Sequence, residues 1–158
     1  MQPNLQSACA EQSAACASLG SEFMARLMQI LPAVWPEDTR LAALCAAQGV
    51  IYVDAPLTRT PIEAEAGKLN SMVGASPEVF ARIEPVIRAY SENVFHVGEM
   101  GSGHVVKLLN NFVAQAICTA TAEAFAVGAK AGVDLDKVVQ VISAGGVNSG
   151  LFQLMSKT

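Results

Sequence analysis

A lysine and two adjacent amides, Lys107, Asn110 and Asn111, stand in a mostly apolar run that follows the glycine-punctuated turn Gly98-Glu99-Met100-Gly101-Ser102-Gly103. On an α-helix, positions three and four apart share a face, so these side chains converge on one small polar patch. Partial burial draws a lysine ammonium toward the working pH range, where it can act as general acid and base. The amides would orient a substrate hydroxyl or carboxylate. Adjacent asparagines early in a helix are unfavourable by propensity, because their side chains compete for backbone hydrogen bonds. Spacing alone leaves two readings open, a polar site and an ordinary wetted helix face.

A second candidate is Asp54-Ala55-Pro56-Leu57-Thr58-Arg59-Thr60-Pro61, where an apolar run delivers two hydroxyls and a guanidinium into a loop. Ligands of α/β sheets gather at the carboxyl ends of strands, where these residues should fall. The alternative is that Thr58 and Thr60 satisfy turn amides and Arg59 pairs with Glu63. Of the two histidines, His96 falls in a strand pattern and reads as structural. His104 lies close to the lysine turn and could hydrogen-bond a substrate, behind Lys107 in the order of candidates. Gly98-x-x-Gly101-x-Gly103 follows a strand and opens a helix, yet it lacks the third glycine in register and a second strand bearing an acid, so it is not a nicotinamide-cofactor fingerprint.

The elements that must position these residues follow from local signals. Trp35-Pro36-Glu37-Asp38 opens a helix with an apolar face at Leu41, Leu44 and Cys45 that ends near Gly49. Val50–Val53 reads as a short buried strand ending at Asp54. A long loop or short helix through Pro56 and Pro61 leads to a second strand, Leu69–Val73. Ser76-Pro77-Glu78 starts a helix to about Ala89, kinked or interrupted at Pro85. Asn93–Val97 is a third strand, followed by the long helix. Asp134 caps a helix to about Ser143 with Val138, Val141 and Ile142 inward, and Leu151–Met155 begins another. Helix and strand in alternation suggest an α/β layer.

Composition narrows the functional classes. The net charge is -4 and the basic residues are scattered, which argues against a nucleic-acid module. The four cysteines, Cys9, Cys16, Cys45 and Cys118, form no CxxC pair and have no histidine at zinc spacing. They read as reduced thiols of a cytoplasmic protein, and no metal site is expected. Between His104 and Ala131 the formal charges are Lys107, Glu123 and Lys130, so a membrane span is possible on length. The amides, threonines and charges favour a helix buried among other helices. Hydrophobic residues make up 52% of the chain and charged residues 15%, which points to a homo-oligomer.

Together, YVDAPLTRTPIEAEAGKLNSMVG from Tyr52, HVGEMGSGHVVKLLNNF from His96 and AEAFAVGAKAGVD from Ala122 resemble the β-hydroxyacid dehydrogenase family. That family includes 3-hydroxyisobutyrate dehydrogenases and tartronate semialdehyde reductases and is related to 6-phosphogluconate dehydrogenase. The resemblance covers Pro36 to about Met155. It implies an α/β fold: the C-terminal part of a Rossmann-type domain (36–100), then a long connecting helix and the start of an all-helical domain (101–158), with 1–35 unassigned and a helical segment there as one reading. It implies NAD or NADP as cofactor, a small hydroxy acid as substrate, and homo-oligomers built through the long helix. Lys107 matches the family's acid/base, Asn111 with Asn110 beside it the substrate-binding amide, and Asp54 to Thr60 the loop that holds the substrate carboxylate.

This sequence departs from the family pattern in two respects. Thr58 replaces a common serine and Arg59-Thr60 replace two glycines, so Arg59 could pair a carboxylate bidentately. No glycine-rich GxGxMG turn precedes Pro36, and the helical part stops soon after Phe152. No cofactor-binding residue is assigned, and the expectation is a dehydrogenase-like chain that binds NAD(P) weakly or not at all and is inactive alone. The alternative is a non-catalytic dimerising or interaction protein of the same ancestry. Met1 to Trp35 could in either case cover an open sheet edge.

Overall fold

The computed structural model describes residues 38–157. The N-terminal segment 1–35, its expected cover of a sheet edge, Cys9, Cys16 and the first residues of the Trp35-Pro36 helix lie outside the described residues. The chain divides into two compact units, one up to Val105 and one from Val106.

In the first unit, residues 38–46 form helix α1. It is followed by β1 (Leu57–Thr58), α2 (Pro61–Glu65), β2 (Leu69–Gly74), α3 (Pro77–Ile87) and β3 (Ser91–Gly98). The strands pair in the order β1-β2-β3, with β1 antiparallel to β2 and β2 parallel to β3. A parallel pair requires a crossover, and α3 supplies it. Val73, Ala75 and Ile87 form the buried core, with Val53, Val79, Phe80, Ile83 and Val94 packed against it. Ser71 is tolerated in this buried strand because its hydroxyl pairs with that of Ser91 at 2.6 Å.

Local signals set most of these limits. Ser76 caps α3 by accepting the Val79 N–H, and Pro77 occupies the first turn. Of the kink or interruption expected at Pro85, the interruption does not occur, for α3 runs through it to Ile87. Pro85 sits in the last turn, where a single missing hydrogen bond is cheap. The expected strand Val50–Val53 does not form either. Val50 and Ile51 are 55% and 56% exposed, and the run joins the sheet only at its end, where Asp54 bridges Gly74. Among the described residues no neighbouring strand completes a ladder beside it, so apolar character alone could not make it a strand.

The long helix α4 (Ser102–Lys130) has 29 residues. Gly101, just before it, has φ +94°, a left-handed conformation that glycine adopts without strain. The first turn lies hard against the sheet. A Cβ at Gly103 would stand 2.5 Å from the Met72 carbonyl oxygen and 2.7 Å from Asp54 Oδ2.

The second unit holds the rest of α4 with α5 (Leu135–Ala144) and α6 (Gly150–Met155). Asp134 caps α5 through the Asp136 N–H and Ser149 caps α6 through the Phe152 N–H. Phe152 is buried and meets Phe125 edge-on, with ring centroids 6.0 Å apart. Val138 and Ile142 turn partly inward as expected, but Val141 is 73% exposed. A 10-residue helix covered on one side buries only a narrow stripe, and Val141 lies at its edge. The expectation that α4 is buried among helices also differs from the structure. Its most apolar window is only 6% buried, and by length and composition α4 could cross a membrane.

Alanine at Gly103 tests the close approach of α4 to the sheet. Helix propensity alone would favour Gly103→Ala by about 1 kcal/mol. We predict the opposite sign, a loss of roughly 3 kcal/mol in urea unfolding, because the new methyl meets backbone that cannot yield. A stabilised Gly103→Ala chain would contradict the packing described here.

Candidate active site

Asp54 ends the apolar run 50–53, and its side chain is wholly buried. A carboxylate can be buried only if strong donors meet it. Gly101 donates its backbone N–H to Asp54 Oδ1 at 2.6 Å, and His104 donates its backbone N–H to Asp54 Oδ2 at 2.8 Å. Asp54 therefore caps α4 from 47 residues away, at the helix end where negative charge is favoured.

A second buried carboxylate adjoins it. His104 Nδ1 lies 2.8 Å from Asp38 Oδ2, and the Tyr52 hydroxyl donates to Asp38 Oδ1 at 2.9 Å. Because a carboxylate accepts, the Nδ1 proton is the one shared, which fixes the orientation of the imidazole. Burial, followed by the hydrogen bond to Asp38, pushes the Tyr52 phenol up to about 12. The ligand atoms of Asp38, Asp54 and His104 lie within 4.8 Å of one another. Both Asp54 oxygens already accept backbone amides, and the positive end of α4 points at the group, so hydrogen bonding accounts for the cluster without a cation. His96 is structural as expected, stacked on Phe80 with ring centroids 4.5 Å apart and hydrogen-bonded through Nε2 to the Ala75 carbonyl.

The Thr58–Thr60 loop follows from the same strand end. Arg59 has φ +85°, the left-handed region. For a residue with a Cβ this costs roughly 1–2 kcal/mol. Its Nη1 donates to the Lys68 carbonyl at 2.6 Å and to Glu92 Oε2. The expected partner, Glu63, instead accepts the backbone N–H of Thr60 at 2.9 Å and the Thr60 hydroxyl. Those contacts, the hydroxyl first, hold the Glu63 carboxyl below the usual carboxylate range. Thr58 is half-buried, and its hydroxyl makes no side-chain hydrogen bond among the described residues.

On α4, Lys107 is half-buried and Asn110 and Asn111 are exposed. One continuous helix carries all three, as their spacing predicts. The loop residues belong to the first unit and the α4 residues to the second. The family's cofactor needs donors for a pyrophosphate, and a glycine turn opening a helix often supplies them. Here the Gly101 and His104 amides are taken by Asp54, so this turn does not fit that group.

Sequence reasoning passed over Asp38, Tyr52 and the capping role of Asp54. Asp38 and His104 are 66 positions apart and no local spacing joins them. Asp54 did carry a signal, because a lone acid closing an apolar run must find buried donors.

Comparison with known proteins matches residues 33–98 to the family described as the NAD binding domain of 6-phosphogluconate dehydrogenase. Residues 101–157 match the NAD-binding family of NADP-dependent 3-hydroxyisobutyrate dehydrogenase. The chain is 40% identical over 114 residues to a 3-hydroxyisobutyrate dehydrogenase of Pseudomonas aeruginosa, covering 70% of this chain and 38% of that protein. It is 37% identical over 113 residues to a 2-(hydroxymethyl)glutarate dehydrogenase of Eubacterium barkeri, covering 71% and 38% respectively. A solved structure of Mycobacterium tuberculosis 3-hydroxyisobutyrate dehydrogenase with L-serine superposes with TM-score 0.69 at 28% identity, covering 73% of this chain and 40% of that one. The chain thus spans about two fifths of the length of these relatives.

Two measurements test the buried network. Asp54→Asn keeps one acceptor oxygen and turns an amide donor toward a backbone donor, so it should lower unfolding free energy by about 2–3 kcal/mol. A loss under about 0.5 kcal/mol, the size of an ordinary surface substitution, would show that α4 is held elsewhere. For Tyr52 the folded pKa lies above the unfolded one. The stability it contributes is fully present below pH 10 and declines as pH rises through about 12. Tyr52→Phe should abolish that alkaline decline, and Asp38→Asn should bring the Tyr52 phenol back toward 10.0, read by ring-carbon NMR titration.

Proposed function

The chain belongs to the β-hydroxyacid dehydrogenase family, and from that premise we propose that its α4 face and its Thr58–Thr60 loop serve hydride transfer between a 3-hydroxy acid and NAD or NADP. Lys107 is the acid/base, taking the proton of the substrate hydroxyl on its amine and returning it in the reverse direction. Asn111, with Asn110 beside it, holds the hydroxyl-bearing end of the substrate. Thr58, Arg59 and Thr60 hold its carboxylate, Thr58 with an uncommitted hydroxyl and Arg59 with the Nε–Nη2 edge that its clasp leaves open. The nicotinamide, when bound, takes or supplies the hydride.

The observation that carries this reading is the placement of Lys107, Asn110 and Asn111 on one continuous helix whose first turn Asp54 fixes. A half-buried lysine beside two amides has the donor set that an oxyacid needs. Asp54 already occupies the anion position at the start of α4, so this turn offers no pyrophosphate site, in keeping with the weak nucleotide binding expected of this chain.

A second reading is a non-catalytic dimerising protein, and the exposure of α4 favours it. Contiguous exposed apolar surface of this kind marks a contact site. A second copy of the chain is the proposed cover, in the cytoplasm, with neither nucleic acid nor membrane as partner.

Titration of the full chain with 3-hydroxyisobutyrate, followed by NMR, separates the two readings. The hydroxy-acid reading expects shifts at Thr58, Lys107 and Asn111, and a roughly tenfold loss of affinity in Lys107→Ala, the size of a hydrogen bond to a charged group. NADH and NADPH should bind weakly by fluorescence, and micromolar binding would contradict the closed glycine turn. A dimer by light scattering that leaves all three signals unmoved by the acid would favour the second reading.

A further inference from the structure

Glu92 lies on β3, outside every residue given a role above, yet its carboxylate meets Nη1 of Arg59. The same nitrogen donates to the Lys68 carbonyl. Arg59 is, among the described residues, the one non-glycine with a positive φ. Its left-handed backbone is strained, because the Cβ crowds the following carbonyl. The contacts of Nη1 with Glu92 and the Lys68 carbonyl offset part of that strain. The ion pair is partly exposed, with side chains 30% and 47% accessible, and pairs of this kind are weak. Loss of the pair should therefore loosen the turn without unfolding it.

We infer that Glu92 is a positioning residue for the Thr58–Thr60 turn, acting through the Arg59 guanidinium and not touching the acid itself. The inference rests on the reading of this turn as the carboxylate loop. Glycine at position 59 would adopt the same φ without strain and would need no clasp. Arginine creates the need, and Glu92 with the Lys68 carbonyl meets it. On the other side of the turn, Glu63 hydrogen-bonds Thr60 and acts on Arg59 only weakly, through its charge, so the direct hold on the guanidinium is that of Glu92 and the Lys68 carbonyl. The role of Glu92 is thus conditional on Arg59, which separates positioning from a general contribution to β3.

The test compares the full-length wild type, Glu92→Ala, Arg59→Gly and the double variant. Two quantities are read, amide hydrogen exchange at residues 58–60 and affinity for 3-hydroxyisobutyrate. In Glu92→Ala, exchange should quicken and acid affinity should fall, each about threefold, in the range of an exposed ion pair. About 1 M NaCl should speed exchange in the wild type similarly, by screening the pair. The double variant should match Arg59→Gly in both quantities, since there is no strained turn left to hold.

Equal effects of Glu92→Ala with arginine or glycine at position 59, or no effect in either, would overturn the inference. Acid binding in the wild type that Glu92→Ala leaves intact overturns this inference alone. Failure of the wild type to bind the acid overturns the carboxylate-loop reading and the positioning role with it.

Discussion

The first unit is organised around one buried carboxylate. Asp54 stands at the end of a run that fails to pair as a strand, and its charge would be costly there without donors. The two backbone amides at the start of α4 supply them. Its backbone also joins the sheet, since Gly74 donates its N–H to the Asp54 carbonyl at 2.8 Å. A single residue thus couples the strand end, β2 and the first turn of α4. Its size sets requirements on its neighbours, because a Cβ at Gly74 or at Gly103 would collide with this carboxylate. Two of the glycines are explained by packing against a charge.

This arrangement determines what the glycine turn can do. A glycine turn that opens a helix is usually an invitation to an anion. Here the anion is built into the chain, so the turn is a joint between sheet and helix. In the proposed reading, the polar residues assigned to chemistry lie further along α4, at Lys107, Asn110 and Asn111, and in the loop after Asp54. That loop carries a strained backbone of its own at Arg59. Strain of this kind persists only where surrounding contacts over-determine it, and the clasp by Glu92 and the Lys68 carbonyl is such a contact set.

Elements with a local cause could be read in the sequence. The Ser76-Pro77 start, the Asp134 cap and the apolar runs of β2 and β3 each depend on neighbours within a few residues, and each appears where expected. The run Val50–Val53 misled because strand formation needs a partner that no single segment can specify. The position of Lys107, Asn110 and Asn111 on one helix was legible from spacing. Their surroundings were not, because the carboxylates that fix the start of that helix come from Asp38 and Asp54, far away in sequence. The replacement of glycine by Arg59 signalled an altered loop. The choice of Glu92 as its partner over the nearer Glu63 depended on the parallel pairing that brings Ser91 beside Leu69.

The second unit poses a different energetic problem. Its buried residues are few, with Thr121 and Phe152 the ones below the surface among those described. Three short or thinly covered helices leave much of their apolar surface in water, and a unit of this size is marginal by itself. The hollow of about 270 Å³ between α4, α5 and α6 has an apolar lining that includes Ile117, Ala124, Ile142 and Phe152. Such a surface gains from any cover that removes it from water. If the catalytic face of α4 is used, the polar patch and the apolar patch must therefore share one helix without sharing a partner. Position along α4 then separates them: Asn110 and Asn111 occupy the early turns, whereas Ile117, Ala120 and Ala124 line the hollow further on. Covering the later turns need not occlude the earlier ones, so the proposed chemistry and the proposed association are compatible demands on this helix.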